Sequence, residues 1–375
     1  MDNPFKKILS EGLAFFQKGA TSDSVVGVDI GSSSIKVVQL KKKGGKALIE
    51  TYGAIALGPY ASLEVGQTTN LPVEQLAVAV RDVMRESGIT TNSGAFSIPS
   101  SGSLIFLVEL PGEVQESQLP TIIPTEARKY IPVPVSEVSL DWWVIPKKDE
   151  ISYDDMGVET AKKPKVKVLV VAIQNDVISK YKDIVKRADT ESGFYEIEVF
   201  SQIRATLGHD LSPVLLVDFG ASKTKLTIIE YGVVRYFHII NRGSYDISST
   251  LSKSLSVSFT KAEQLKREFG LYGSSTDKSI TEIIKSSIDY ILSETNNVVL
   301  NYERKYNKVI SKIILSGGGA LLKGLKESAV DNFRAEVVVG NPFSKVEAPA
   351  FLAPVLESVG PEFAVALGLA LRKLQ

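Results

Sequence analysis

Two short segments carry the residue types that hold phosphate. "VVGVDIGSSSIKVVQL" sets Asp29, Gly31, Ser32, Ser33, Ser34 and Lys36 between two apolar runs. "LLVDFGASKTKLTIIE" repeats the arrangement, with Asp218, Gly220, Ser222 and Lys225 at the offsets of Asp29, Gly31, Ser33 and Lys36, and Ala221 and Lys223 among them. In each, an acid ends an apolar strand, a glycine turn follows, and a second β-patterned run leaves it. One such hairpin is an ordinary turn; two with matched spacing mark an internal duplication. Glycine lets a backbone N–H approach an anion, and consecutive N–H groups with serine hydroxyls form a phosphate nest. Lysine adds a point charge. A carboxylate beside phosphate needs a cation between them, and Mg²⁺ held through water by Asp29 and Asp218 meets that need.

A third station is "SGGGALLKG", where Gly317, Gly318 and Gly319 follow an apolar run and permit close approach of a flat base or ribose. Its Gly319-to-Gly324 spacing is that of a Walker loop, but Leu325 stands where the lysine belongs, and Leu322 breaks the dinucleotide pattern. Alone it reads equally well as a turn. Beside the paired hairpins the site reading leads.

The elements that must position these groups alternate strand and helix. From Val25 to Ile98, strands surround one helix, with Leu76, Val78, Ala79 and Val83 expected on one face. Residues 99–172 read as strand, helix, strand, polar loop and strand, an α+β unit inserted before α/β alternation resumes. Trp142 and Trp143 fall on opposite faces of its second strand. Residues 173–213 return to the first half, and the stretch around Glu198 is read as one strand entering another. The second half spans 214–350, with a helical part at 244–306, and 351–375 is a closing helix that returns to the first half. Residues 1–23 form an amphipathic extension that suits a membrane surface or a partner, or more plainly a helix on the body or a frayed tail. The basic runs at Lys41–Lys43 and Lys162–Lys167 are expected in solvated loops.

Bulk composition narrows the function. The 375 residues hold 43 Lys+Arg against 43 Asp+Glu, which argues against broad nucleic-acid binding. There is no cysteine, so disulfides, thiolate zinc sites and thiol nucleophiles are excluded. His209 and His238 are the two histidines, too few for a histidine-rich metal site. No membrane-spanning apolar run and no signal peptide are expected, so the chain reads as cytoplasmic.

The three stations, in this order, resemble the actin-like ATPase superfamily, over nearly the whole chain from Val25. The resemblance implies a duplicated ribonuclease H-like α/β fold with ATP and Mg²⁺ in the inter-domain cleft. The two hairpins resemble its phosphate loops, and "LSGGGALLKGL" its adenosine loop. "TKAEQLKREFG" resembles the helix whose Glu and Lys approach ribose and adenine, here Glu263 and Lys266. An insertion inside the first half resembles the FtsA branch. The wording "GVDIGSSSIKVVQL", "SIPSS", "EARKYIPVP" and "VDFGASKTKLTI" is similar to the PilM family of type IV pilus assembly.

That resemblance implies an ATP-binding scaffold on the inner-membrane assembly platform. Its partners would be the N-terminal cytoplasmic segment of a PilN-like membrane protein and other platform and motor components, with self-association left open. It implies a cytoplasmic protein peripheral to the membrane through its partner. Ala221 stands where actin has a second acid, so hydrolysis is expected to be slow or absent; Glu198, matching a family acidic position, is equally a catalytic water-polarising carboxylate or a surface one. An FtsA-like division filament is disfavoured because the sequence ends at Gln375 without a membrane-binding tail. A small-molecule kinase lacks a convincing base for an acceptor hydroxyl. A type II secretion platform protein is a close variant.

Overall fold

β1 (Ser24–Ile30) is buried at nearly every position because it lies mid-sheet with both faces covered. β2 (Ser34–Lys43) and β3 (Lys46–Ala56) fold back antiparallel from it, the second turn using Gly44 and Gly45 at positive φ. α1 (Val73–Glu86), β4 (Ser93–Ile98), β5 (Ser103–Pro111), α2 (Leu119–Ala127), β6 (Val138–Val144) and β7 (Lys165–Gln174) follow. Then come α3 (Asn175–Arg187), β8 (Glu191–Ile197) and α4 (Glu198–Thr206). The computed structural model describes residues 24–145, 165–208, 210, 212–273 and 278–374. The extension at 1–23, most of the polar loop before β7, and His209 lie outside the described residues.

The second half repeats the first. β9 (Val214–Phe219), β10 (Thr224–Glu230) and β11 (Val233–Ile240) form an antiparallel meander, and α5 (Ser244–Leu255), α6 (Phe259–Phe269) and α7 (Lys278–Tyr306) follow. β12 (Lys312–Ser316), α8 (Leu325–Asn332) and β13 (Glu336–Val339) complete it, before α9 (Ala353–Leu374). The first sheet runs β3-β2-β1-β4-β8 and the second β11-β10-β9-β12-β13. In both, the first two pairings are antiparallel and the last two parallel. The expected duplicated α/β architecture is therefore present at the level of strand order and sense.

A separate three-stranded antiparallel sheet, β5-β7-β6, is covered on one face by α2, with Val108, Leu110, Ile123, Val168 and Val170 buried between them. Trp142 packs into this small core, whereas Trp143 faces the main core, as strand alternation requires. Ile105 and Leu107 of β5 join Val233, Val234 and Phe237 of β11 in that main core. The small sheet thus touches both halves.

α9 closes the molecule by packing on the first sheet. Gly27 of β1 is needed there: a Cβ would run into the Ala366 carbonyl. Ala350–Leu374 is apolar and long enough to cross a membrane by composition, so the expectation of no such run needs correcting. Its apolarity has a physical reason in the fold. Ala364, Ala366, Leu367, Leu369 and Ala370 are buried, and a core helix is apolar around most of its circumference.

Two local expectations also change. Val78 is exposed, while Leu76, Ala79, Val80 and Val83 form the buried face of α1 at spacings of three and four. The segment after β8 is a helix, not a second strand, and Glu198 begins it. An acid in the first turn complements the helix dipole, and the buried Val199, Gln202, Ile203 and Ala205 follow helical spacing.

Candidate functional site

Both hairpins turn in the same way. Gly31 N–H donates to the Ser34 carbonyl and Gly220 N–H to the Lys223 carbonyl, each at 3.0 Å. The N–H groups of Ser32 and Ser33, and of Ala221, Ser222 and Lys223, have no hydrogen-bond partner among the described residues. They are a donor set without an acceptor, which is what an anion nest needs. The first turn is held from behind by Leu57 and Thr69, whose N–H groups donate to the Ser33 and Ser32 carbonyls. The second is held by the N-terminus of α5, where Ser244 and Tyr245 donate to the Gly220 and Ala221 carbonyls.

The antiparallel register places Asp29 opposite Lys36 and Asp218 opposite Lys225. Yet the two lysines are used differently. Lys36 Nζ donates to Ser34 Oγ at 2.9 Å. Lys225 Nζ lies 2.7 Å from Glu198 Oε2 and 3.0 Å from Asp218 Oδ2. These two charges outweigh burial and hold the Lys225 ammonium well above its ordinary range.

Asp29 Oδ1 accepts from Ser97 Oγ at 2.8 Å, and Oδ2 has no partner among the described residues. Burial raises the Asp29 carboxyl above its ordinary value; Lys36 opposes this, Glu198 adds to it, and Ser97 and Lys225 oppose it. A buried carboxylate oxygen free beside a set of bare N–H groups fits a hydrated divalent cation next to phosphate. Asp218 fits less simply, because Lys225 already neutralises it.

The glycine loop approaches closely. Gly317 has φ +79°, and a Cβ there would strike Asp218 Oδ1 and the Phe219 carbonyl. Its N–H donates to the Pro361 carbonyl of α9 at 3.0 Å. Glu263 on α6 is held by Ser248 and Lys266 on Oε2 and by Arg267 on Oε1. Burial lowers the Lys266 ammonium from its ordinary value, against the opposing pull of Glu263. Glu198 Oε1 accepts from Ser100 N–H at 2.6 Å, so both its oxygens are engaged.

Every candidate nucleotide-site residue named from the sequence lines one cleft. Asp29, Gly31, Ser32, Ser33, Ser34 and Lys36 face Asp218, Gly220, Ala221, Ser222 and Lys223, with Glu198, Glu263, Lys266, Gly317, Gly318 and Gly319 around them. The cleft volume of about 580 Å³ is within the span of small-molecule pockets. Sequence reasoning quoted Ser97 and Ser100 only within "SIPSS" and gave no site role to them, to Gln202 or to Glu362. It noted Lys225 only as a repeat match, although that repeat placed it opposite Asp218.

Comparison with known proteins identifies the family and the fold. The family model described as type IV pilus assembly protein PilM matches residues 27–374. The cell division protein FtsA of Neisseria meningitidis serogroup B is 23% identical over 347 residues, covering 83% of this chain and 81% of FtsA. A solved PilM-PilN type IV pilus biogenesis complex superposes with a TM-score of 0.77 at 20% identity, over 94% of this chain and 98% of the other. MreB5 of Spiroplasma citri bound to AMPPNP superposes with a TM-score of 0.51 at 12% identity, over 92% and 95%. These likenesses make the fold actin-like. With the family match spanning almost the entire length, the chain belongs to the PilM family of type IV pilus assembly proteins.

Proposed function

We propose that this chain is the ATP-binding scaffold of the inner-membrane platform of type IV pilus assembly, sitting at the inner face of the membrane through a partner. Two like turns facing one cleft, with the N–H groups of Ser32, Ser33 and Ala221 to Lys223 unpaired among the described residues, carry the nucleotide reading. Bound Mg²⁺ would supply charge neutralisation between Asp29 and the phosphates. Ser32 to Ser34 and Ala221 to Lys223 would bind the phosphate oxygens, while Lys36 supplies counter-charge. Gly317 to Gly319 would admit the base and ribose, with Glu263 and Lys266 at their edge.

The partner is the N-terminal cytoplasmic segment of a PilN-like membrane protein, a reading supported by the likeness to the solved PilM-PilN complex. Nucleotide state sets affinity for it. The support is the small sheet, which packs on both halves through β5 and β11, so that closing the cleft alters its contacts. Such coupling requires different contacts in the two states.

Calorimetry of a PilN-like N-terminal peptide, with and without Mg-ATP, tests the proposal. A shift in peptide affinity of about fivefold or more is expected. Equal affinities in the two conditions would refute the coupling, and absence of peptide binding would refute the partner.

A further inference from the structure

The second clamp contains a cation of its own. Lys225 bridges Glu198 of the first half and Asp218 of the second, at 2.7 and 3.0 Å, with all three side chains largely withdrawn from water. Lys36 has the same register position in the first hairpin but turns to Ser34, so that Asp29 is hydrogen-bonded by the Ser97 hydroxyl and by no ammonium among the described residues. Matched sequence spacing has therefore produced two unlike clamps.

We propose that Lys225 is the resident cation of the second clamp, standing at Asp218 where a divalent ion would otherwise sit, so that Asp29 alone relies on added metal. This rests on the nucleotide reading above. Glu198 is anchored from behind by Ser100 N–H, and Asp218 ends a central strand, so neither carboxylate can follow a displaced lysine far. Two nearly buried carboxylates need a compensating charge, and the ammonium meets both at hydrogen-bond distance. An occupying metal would have to evict it against the attraction of both. The same bridge places a positive charge on Glu198 Oε2, which lowers its power to polarise a water.

Two titrations of the full chain test this. Manganese alone, as a divalent probe without nucleotide, should bind Lys225→Met at least about tenfold more tightly than the unaltered chain. Because Lys225→Met leaves two unneutralised carboxylates, the double variant Glu198→Gln/Lys225→Met removes one negative charge along with the positive one. It should show the same gain, with folding checked by urea unfolding. Lys225→Arg should not show it. ATP binding in EDTA should weaken in the unaltered chain, where Asp29 loses its metal, and should be weaker by a further tenfold or so in Lys225→Met. Equal manganese affinity in all four proteins would overturn the assignment. So would equal ATP affinity in EDTA for the unaltered chain and Lys225→Met. Failure to bind ATP even in magnesium would instead strike the nucleotide reading, while the manganese titration would still decide the role of Lys225.

Discussion

Lys225 Nζ lies 3.0 Å from Asp218 Oδ2 directly across the β9–β10 pair, the register position that Lys36 occupies opposite Asp29. The equivalence is one of backbone only. Asp29 is hydrogen-bonded by the neutral Ser97 hydroxyl and Asp218 by the Lys225 ammonium, and each keeps one oxygen without a hydrogen-bond partner among the described residues. The two hairpins therefore differ in charge pairing.

Asp29→Ala and Lys36→Ala should each weaken Mg-ATP binding by roughly tenfold to a hundredfold, the value of a hydrogen bond to a charged group. Calorimetry measures it. Unchanged affinity in both variants would remove the phosphate cradle from the first hairpin.

Glu64 reaches across the cleft mouth: its Oε2 accepts from Thr260 N–H at 2.8 Å, in the first turn of α6. The Thr260 side chain first, and then the Thr260 and Phe259 N–H groups, hold its carboxyl below the usual range against a small burial effect. Nearby Val65 and Gly66 line the cleft. Glu64→Ala should speed release of a fluorescent ATP analogue by roughly twofold to fivefold, as expected for a carboxylate at a helix N-terminus. Stopped-flow displacement reads the rate, and no change would show that this contact does not restrain the cleft.

Acid stability should depend on Glu196. Burial alone would raise its carboxyl, but Arg204, Arg372 and Ser201 outweigh it and hold the group below the ordinary range. Because the folded pKa lies below the unfolded one, the ionised network adds stability above about pH 4.3 and loses it as pH falls through the folded value. Glu196→Gln should lower stability by roughly 3–5 kcal/mol at pH 7. Its deficit relative to the unaltered chain should shrink below about pH 4. Urea unfolding across that range would contradict this if the deficit stayed constant.

Gly368 on α9 lies against the Ser201 carbonyl of α4, leaving no room for a methyl group. Gly368→Ala should cost about 3 kcal/mol through overpacking and should shift the urea midpoint without abolishing ATP binding. A midpoint equal to that of the unaltered chain would mean that α9 can move away from α4 at little cost.

Much of the site was legible because its parts are local. An acid and a lysine seven residues apart, joined by a tight turn, must face each other once the two runs pair antiparallel, as Asp29 with Lys36 and Asp218 with Lys225 do. Glycine and serine between them mark the turn and its free donors whatever surrounds it. The duplication of the two halves was likewise foreshadowed by the repeated apolar runs, whereas the strand order came from the structure. Helix α4 was misread because the buried run around Glu198 is short, and short apolar runs do not distinguish strand from helix.

Other relationships belong to the tertiary structure. Glu198 meets Ser100 and Lys225, Glu64 meets Thr260, and Arg372 meets Glu196, all across long stretches of chain. No periodicity encodes such contacts, because they depend on how two separately closed sheets are set about a common cleft. The sequence by itself determined the paired turns and the chemistry they offer. Only the folded chain decided that Lys36 turns to Ser34 while Lys225 bridges Glu198 and Asp218, since that choice is made by which carboxylates the opposite half brings within reach.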